Sequence, residues 1–291
     1  MEPATEKAAT LIEALSYIQR FRDKVVVVKM GGSFFDDEAS RRSVLTDLVF
    51  MWAVGIHPVL VHGGGPAISR AMKDANLQPK WASGLRFTDA VTLSIVQDVL
   101  INTINKQLVE EVRELGGLVE PIHPRNRPVL RAIQTFGQDE QGEPVDLGYV
   151  GDVTDVDLWI LSRLVQEDVI PVIAPLGLGA DGQVYNVNAD TAAAKVAVAM
   201  HAEKLVNMSD THGIRTRAND AASTAESLNA AEIDRLVAAG QITGGMIPKV
   251  ECCLTAVRGG VKKSHIIDGR IKHSLLLEIY TDQGVGTEIV A

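Results

Sequence analysis

A chain of 291 residues, 46% hydrophobic and 22% charged, has the length and apolar content of one large α/β domain or two lobes with a substantial core. Its formal net charge of −9 advertises no basic face, which argues against nucleic acid or an anionic membrane as the main partner. The two cysteines, Cys252 and Cys253, are adjacent and make a poor structural disulfide, so a reducing, cytoplasmic setting is expected.

The start, Met1 to Thr10, lacks the basic residues and apolar run of a signal peptide, and no apolar run reaches the roughly 20 residues of a membrane span. The seven histidines show no metal-ligand spacing, so no protein-held metal is expected. Leu11, Leu15 and Ile18 recur at helical spacing and predict an amphipathic helix before the first core strand. That helix packs on its own sheet or serves as an arm that docks on another subunit. Val25-Val26-Val27-Val28 predicts a strand buried on both faces, ending in Lys29-Met30-Gly31-Gly32. A helix capped by Ser40 and stopped by Gly55 follows. Then comes the strand Pro58 to Val61, the turn His62-Gly63-Gly64-Gly65 and a helix begun by Pro66. This is a βαβ pattern with a parallel sheet.

Thr88 to Leu115 reads as one long helix, and Leu118 to Val153 as an antiparallel flap with turns at Arg125 to Pro128 and Asp139 to Gly142. The alternating order then resumes, with the helix Leu158 to Gln166 and the strand Val169 to Ala174. It continues through the strand Val184 to Val187, the helix Ala189 to Met200 and the strand Lys204 to Met208, which ends in Ser209-Asp210. Helices at Asn229 to Ala239 and Met246 to Val257, a strand at Ser264 to Asp268 and a short helix from His273 complete the pattern.

Chemistry concentrates at the junctions. Three glycines between a strand and a helix offer backbone N–H groups and a positive helix end to an anion, without the spacing of a P-loop or a dinucleotide fold. Asn186-Val187-Asn188-Ala189-Asp190 carries more polar side chains than one helix cap needs. Gly244-Gly245 opens a helix with Lys249 near its first turn, where the macrodipole disfavours a cation unless an anionic ligand compensates. Two lysines, a triple-glycine turn and a spare aspartate together suit phosphoryl transfer, which needs charge neutralised and reactants held in line.

With these residues in view, the chain resembles the N-acetyl-L-glutamate kinases of the amino-acid kinase superfamily. The resemblance runs through Lys29 to Gly32, Val61 to Pro66, Gly84 to Thr88, Asn186 to Ala193, Gly244 to Val250, His265 to Gly269 and His273 to Thr287. It implies an open αβα sandwich with a mainly parallel central sheet, an antiparallel hairpin flap and an extra N-terminal helix. An acetylamino-acid lobe would span residues 1–178 and an ATP lobe residues 179–291. It implies phosphorylation of the side-chain carboxylate of N-acetyl-L-glutamate by ATP, with Mg2+ carried on the nucleotide and no general base. Lys29 and Lys249 would neutralise the transferring group, Asp190 would hold both lysines, and Gly64, Gly65, Arg86 and Asn186 would bind substrate. Gly31, Gly32, Ser209 and Asp210 would face the nucleotide with Lys249. The N-terminal helix and the tail resemble the arginine-inhibited, hexameric members. This implies an L-arginine site at Tyr17, Lys204, His273, Glu278 and Gly286, and it admits a PII-type signalling protein as a partner.

The chain departs from the common pattern at Ser33-Phe34-Phe35, at Ile122 to Arg127 and at Asn207 to His212. Two other readings use the same residues. One is a kinase for a longer acetylated or carrier-linked amino acid of the 2-aminoadipate type, and the other is a silent arginine-sensing protein on the same fold. Retention of Lys29, Asp190 and Lys249 together argues against the second.

Overall fold

The computed structural model describes the chain except for Met1, Ser83 and residues 139–141, 218, 219 and 281–283; the side chains of residues 2–8, 10, 11 and 221 are also outside the description. In chain order the elements begin with α1 (Glu2–Phe21), β1 (Val25–Met30), α2 (Glu38–Ala53), β2 (His57–His62) and α3 (Gly65–Asp74). There follow the short strands β3 (Trp81–Ala82) and β4 (Leu85–Arg86), α4 (Ala90–Gln97), a π-helical segment (Asp98–Asn105) and α5 (Lys106–Glu114). Next are β5 (Val119–Ile122), β6 (Leu130–Gln138), β7 (Pro144–Val156), α6 (Leu158–Gln166), β8 (Ile170–Ile173) and β9 (Leu176–Leu178). The remainder is β10 (Val184–Val187), α7 (Ala189–Ala199), β11 (Lys204–Ser209), β12 (Ser227–Asn229), α8 (Ala230–Ala238), α9 (Met246–Arg258), β13 (Lys263–Asp268), α10 (Ser274–Tyr280) and β14 (Gly286–Val290).

Eight strands form one sheet in the order β12-β14-β13-β11-β1-β2-β8-β5, parallel except where β14 meets β13. The valine strand β1 is the switch point. The chain leaves it towards β2 on one side and returns as β11 on the other, and ligand crevices of open α/β sheets lie beyond the carboxyl ends of strands at such a point. The sheet and one hydrophobic cluster run continuously across residue 178, and β10, just beyond it, pairs with β9 and β7.

Side chains of β1 alternate between two cores. Val26, Val28 and Met30 face Leu45, Leu48 and Met51 of α2 and Leu108 of α5, while Val27 joins Ala192, Ala193 and Val196 of α7. Lys29 therefore falls on the α7 side. Its register neighbours are Asn207 on β11 and Val61 on β2, and those of Met30 are Met208 and His62. Parallel register neighbours share a face, so Asn207 accompanies Lys29 and His62 accompanies Met30.

Four expectations change. Asp37, not Ser40, caps α2, accepting from the N–H groups of Ala39 and Ser40. The long helix starts after its cap Asp89 and carries a π segment in the middle, which a 3.6-residue pattern does not reveal. The stretch from 118 is not all flap: β5 is a parallel strand at the edge of the main sheet, with Val119 and Ile122 buried. The hairpin β6–β7 does form, but β9 and β10 close it into a small barrel; of its expected turn at Asp139 to Gly142, residues 139–141 lie outside the described residues.

The unusual Ser33-Phe34-Phe35 forms a 3-10 turn, Gly32–Phe35, that carries Phe34 into the core, against Gly269 and the α2 side of the sheet. Ile122 to Arg127 ends β5 in a turn held by Asn126, whose side-chain oxygen accepts from the N–H groups of His123 and Arg127. Phe34→Ala should cost about 3–5 kcal/mol of unfolding free energy by chemical denaturation, the usual range for deleting a buried phenylalanine. A loss below about 1 kcal/mol would show that the turn is not anchored there.

Candidate active site

Lys29 Nζ lies 2.9 Å from Asp190 Oδ1, with both side chains buried. Asn207 Nδ2 donates to the same oxygen at 2.7 Å. Asp190 stands in the first turn of α7, and Asn188 is the cap of that helix, accepting from the N–H groups of Asp190 and Thr191. Asn188 thus takes the capping role and leaves Asp190 free for the lysine. Burial pushes the Asp190 carboxyl up, but the Lys29 charge, its hydrogen bond and Asn207 more than offset that and hold it below the usual carboxylate range.

Two glycine turns meet above this pair. A Cβ on Gly32 would lie 2.9 Å from Pro66 Cδ, 3.0 Å from Gly64 N and 3.1 Å from Gly65 N, and one on Gly64 would lie 2.5 Å from Leu100 Cδ2. These glycines are required by close approach, not by a left-handed backbone: their φ values are outside the positive range. Beneath them His62 is fully buried. Its Nδ1 lies 3.0 Å from Gly63 O and its Nε2 3.1 Å from Asn105 Nδ2. Burial above all lowers its pKa to about 4, so the ring is neutral near pH 7.

A cavity of about 380 Å³ opens here, lined by Lys29, Gly32, Gly64, Gly65, Arg86, Asn186, Asp190 and Lys249 among others. Arg86, on β4, is anchored from behind: Nη2 donates to Gly65 O at 3.0 Å and Ser69 Oγ at 2.7 Å, and Nη1 to Met72 Sδ at 3.2 Å. The Trp81 ring stacks on the guanidinium at 4.4 Å. Of the five guanidinium donors, Nε–H and one on Nη1 have no acceptor among the described residues. Asn186 Nδ2 donates to Thr88 Oγ1 at 3.2 Å. Lys249 enters the cavity from α9 with its Nζ on Gly245 O at 3.0 Å; it makes no ion pair with Asp190, which acts on it only at longer range. The expected grip of Asp190 on both lysines is thus a contact for Lys29 alone.

Ser209 and Asp210 lie at the carboxyl end of β11, and Asp210 borders a neighbouring cavity of about 430 Å³ with Thr211, His212, Gly213, Gln241 and Arg270. Gly31 lines neither cavity; its N–H donates to Met208 O at 3.2 Å. Asn207, His62 and Trp81 had no assigned role in the sequence reading. For Asn207 and His62 the signal was polarity where a buried strand should be apolar; exposed Trp81 offers none.

At the opposite end of β11, Tyr17, Lys204, Glu278 and Gly286 line a cavity of about 710 Å³. His273 is not there. It bonds Asp47 Oδ1 at 2.6 Å on the α2 side, and the histidine in this cavity is His265, whose Nδ1 lies 2.6 Å from Glu278 Oε1. In α1, Tyr17 packs edge-on against Tyr280, Phe21 is buried, and Ile12 and Leu15 are exposed.

A family model described as the amino acid kinase family matches residues 24–268. The acetylglutamate kinase of Symbiobacterium thermophilum is 45% identical over 290 residues, covering 99% of each chain. Among solved structures, N-acetylglutamate synthase from Neisseria gonorrhoeae, complexed with coenzyme A and N-acetyl-glutamate, matches with a TM-score of 0.87 at 26% identity over 98% of this chain. The chain spans 63% of that synthase's length. The same synthase complexed with coenzyme A and L-arginine matches with a TM-score of 0.83 at 25% identity, covering 97% of this chain and 65% of that one.

Two outcomes test the geometry. Gly32→Ala drives a methyl group into backbone that cannot yield, whereas a Cβ on Gly65 meets nothing within 4 Å. Gly32→Ala should therefore lower the melting temperature and Gly65→Ala should not; equal melting temperatures would contradict the packed turns. Near pH 7 the neutral His62 adds no proton linkage. Below 6.5 the unfolded chain takes up a proton that the folded chain refuses until about pH 4, so stability should fall by roughly 3 kcal/mol across that window. Denaturation of the wild type and His62→Asn at several pH values checks this, and the same slope in both would contradict it.

Proposed function

The chain belongs to the amino acid kinase family as one of its acetylglutamate kinases, and we propose that the cavity between the glycine turns and α7 is where it acts. The reaction is phosphorylation of the side-chain carboxylate of N-acetyl-L-glutamate by ATP, a step of arginine biosynthesis. The observation that carries the site assignment is convergence. Lys29, Gly64, Gly65, Arg86, Asn186, Asp190 and Lys249, spread over some 220 residues of sequence, line one space of about 380 Å³.

In this reading the free donors of Arg86 hold the substrate α-carboxylate, and Asn186 holds the acetamido group. A carboxylate oxygen attacks the γ-phosphorus of ATP; as that P–O bond forms, the bond to the β–γ bridging oxygen breaks and ADP leaves. The attacking carboxylate is already ionised near pH 7, so no proton is removed. The equatorial oxygens of the transferring group need donors, and the N–H groups of Gly64 and Gly65 with the Lys29 ammonium supply them in a site of low dielectric. Lys249 approaches the phosphates from α9, and the cavity bordered by Asp210 and Thr211 takes the nucleoside.

Among the described residues no three His, Cys, Asp or Glu side chains cluster as metal ligands, and Asp190 Oδ1 is occupied by Lys29 and Asn207. Such a site fits Mg2+ that arrives on ATP and neutralises phosphate charge there, rather than one held by the protein. We place the acetylamino acid with residues 1–178, joined by Asn186 from beyond that boundary, and ATP with residues 179–291, on the two sides of the β1–β11 junction, and the enzyme in the cytoplasm, where ATP is available.

The cavity at Lys204 and Glu278 supports a second role, feedback inhibition by L-arginine. A carboxylate such as Glu278 can pair with a guanidinium fork, with Tyr17, His265 and Gly286 around it. The exposed Ile12 and Leu15 of α1 suit an arm that interlinks subunits towards a hexamer. No feature of the chain identifies a PII-type partner.

ADP release with hydroxamate trapping of the acyl phosphate tests the reaction. N-acetyl-L-glutamate should turn over faster than N-acetyl-2-aminoadipate, and the reverse order would move the assignment to the longer substrate. Lys249→Ala should reduce kcat at least about a hundredfold while changing ATP affinity far less; an unchanged kcat refutes its role. Glu278→Gln should raise the half-inhibitory arginine concentration at least about tenfold, the scale of one charge-assisted contact. An unchanged value would remove Glu278 from an effector site.

A further inference from the structure

We propose that His62 and Asn105 are positioning residues for phosphoryl transfer: together they lock the Gly63–Gly64 peptide so that the Gly64 N–H faces the transferring group. The inference rests on the kinase reading above and concerns two side chains that touch no substrate.

The proton positions follow from one carbonyl. Val172 O can only accept, and Asn105 Nδ2 lies 2.9 Å from it, which fixes the amide group of Asn105 with its nitrogen inward. The second N–H of that amide points at His62 Nε2, 3.1 Å away. Nε2 must therefore carry the lone pair, and the single proton of the neutral ring sits on Nδ1. From there it donates to Gly63 O at 3.0 Å. The chain Val172–Asn105–His62–Gly63 is directional, and every link of it is buried.

Gly63 C=O and Gly64 N–H belong to one peptide plane and point in opposite directions. Holding the carbonyl inward turns the N–H outward, where Gly64 lines the cavity and its N–H has no acceptor among the described residues. A donor on the carbonyl also polarises the peptide and strengthens the N–H as a donor. The π segment packs against the same turn, because Leu100 and Ile104 occupy the space where a Cβ on Gly64 would be. Phe35 packs edge-on against the imidazole at a centroid distance of 6.5 Å. An imidazole kept only to fill the core would need no such oriented chain.

The test compares His62→Asn, His62→Gln and the wild type as full-length enzymes, by steady-state hydroxamate assay and melting temperature. An asparagine amide nitrogen sits where imidazole Nδ1 does and can still donate to Gly63 O. A glutamine reaches only the Nε2 position, keeping the volume and the contact with Asn105. His62→Gln should lose about ten- to a hundredfold in kcat with both KM values within about threefold, and His62→Asn should stay within about fivefold of the wild type. Melting temperatures should run the other way, with the asparagine variant the less stable. If kcat follows melting temperature instead, His62 is a packing residue and the proposal fails. A wild-type chain that forms no acyl phosphate overturns the kinase reading and this proposal with it. Should His62→Asn not fold, the imidazole 15N shifts of the wild type decide: an Nδ1–H tautomer supports the chain of bonds, and an Nε2–H tautomer overturns it.

Discussion

Bringing a lysine ammonium and an aspartate carboxylate to 2.9 Å inside a protein strips both of water, and their attraction repays that loss only when the remaining polar atoms are satisfied. Here Asn207 shares the carboxylate and Asn188 fixes the helix turn that bears it. A well-packed apolar pair would hold the same elements together at least as well. The pair is better understood as a way to keep a cation fixed at the end of β1, with its other ammonium donors turned to the cavity. Its position dictates much else. Lys29 must fall on the α7 side of the sheet, Asn207 must be its register neighbour, and the glycine turns must close over it without side chains.

Because Asp190 neutralises Lys29, the pair leaves little net positive charge at the floor of the cavity. In the kinase reading proposed above, added phosphate charge is met by groups that cost little to hold in place: peptide N–H groups, the start of α9 and Lys249. On that reading the peptide planes of the glycine turn need as firm a hold as the side chains do. It also makes β11 consequential. This strand begins at Lys204 in the larger cavity and carries Asn207, which bonds Asp190, near its other end. Six residues of strand, roughly 20 Å, separate the two sites. A ligand that prefers one arrangement of Lys204 and Glu278 over another could bias the site through that strand, and only to the extent of that preference.

The valine strand, the glycine turns and the alternation of strands and helices were legible because each has a local signature. Lys29, Asp190 and Lys249 stood out as charges where packing alone would not place them. What escaped depends on register. Asn207 gains meaning only from lying opposite Lys29, 178 residues earlier, a pairing no local pattern encodes. His62 is a buried, neutral ring held between its neighbour Gly63 and Asn105 of the π segment. The resemblance places His273, just before α10, at the cavity of Lys204 and Glu278, but the neighbouring strand β13 delivers His265 there instead. Ser33-Phe34-Phe35, a departure from the common pattern, does not line the cavity and anchors the core through Phe34.

The central claim is that Lys29 acts on the transferring phosphoryl group rather than on either substrate alone. Titration with ADP, aluminium fluoride and N-acetyl-L-glutamate, which together mimic that group in transit, measures it directly. Lys29→Gln should weaken the ternary mimic at least about a hundredfold while ADP alone binds within about threefold of the wild type. Equal weakening of both, or of neither, would contradict the account.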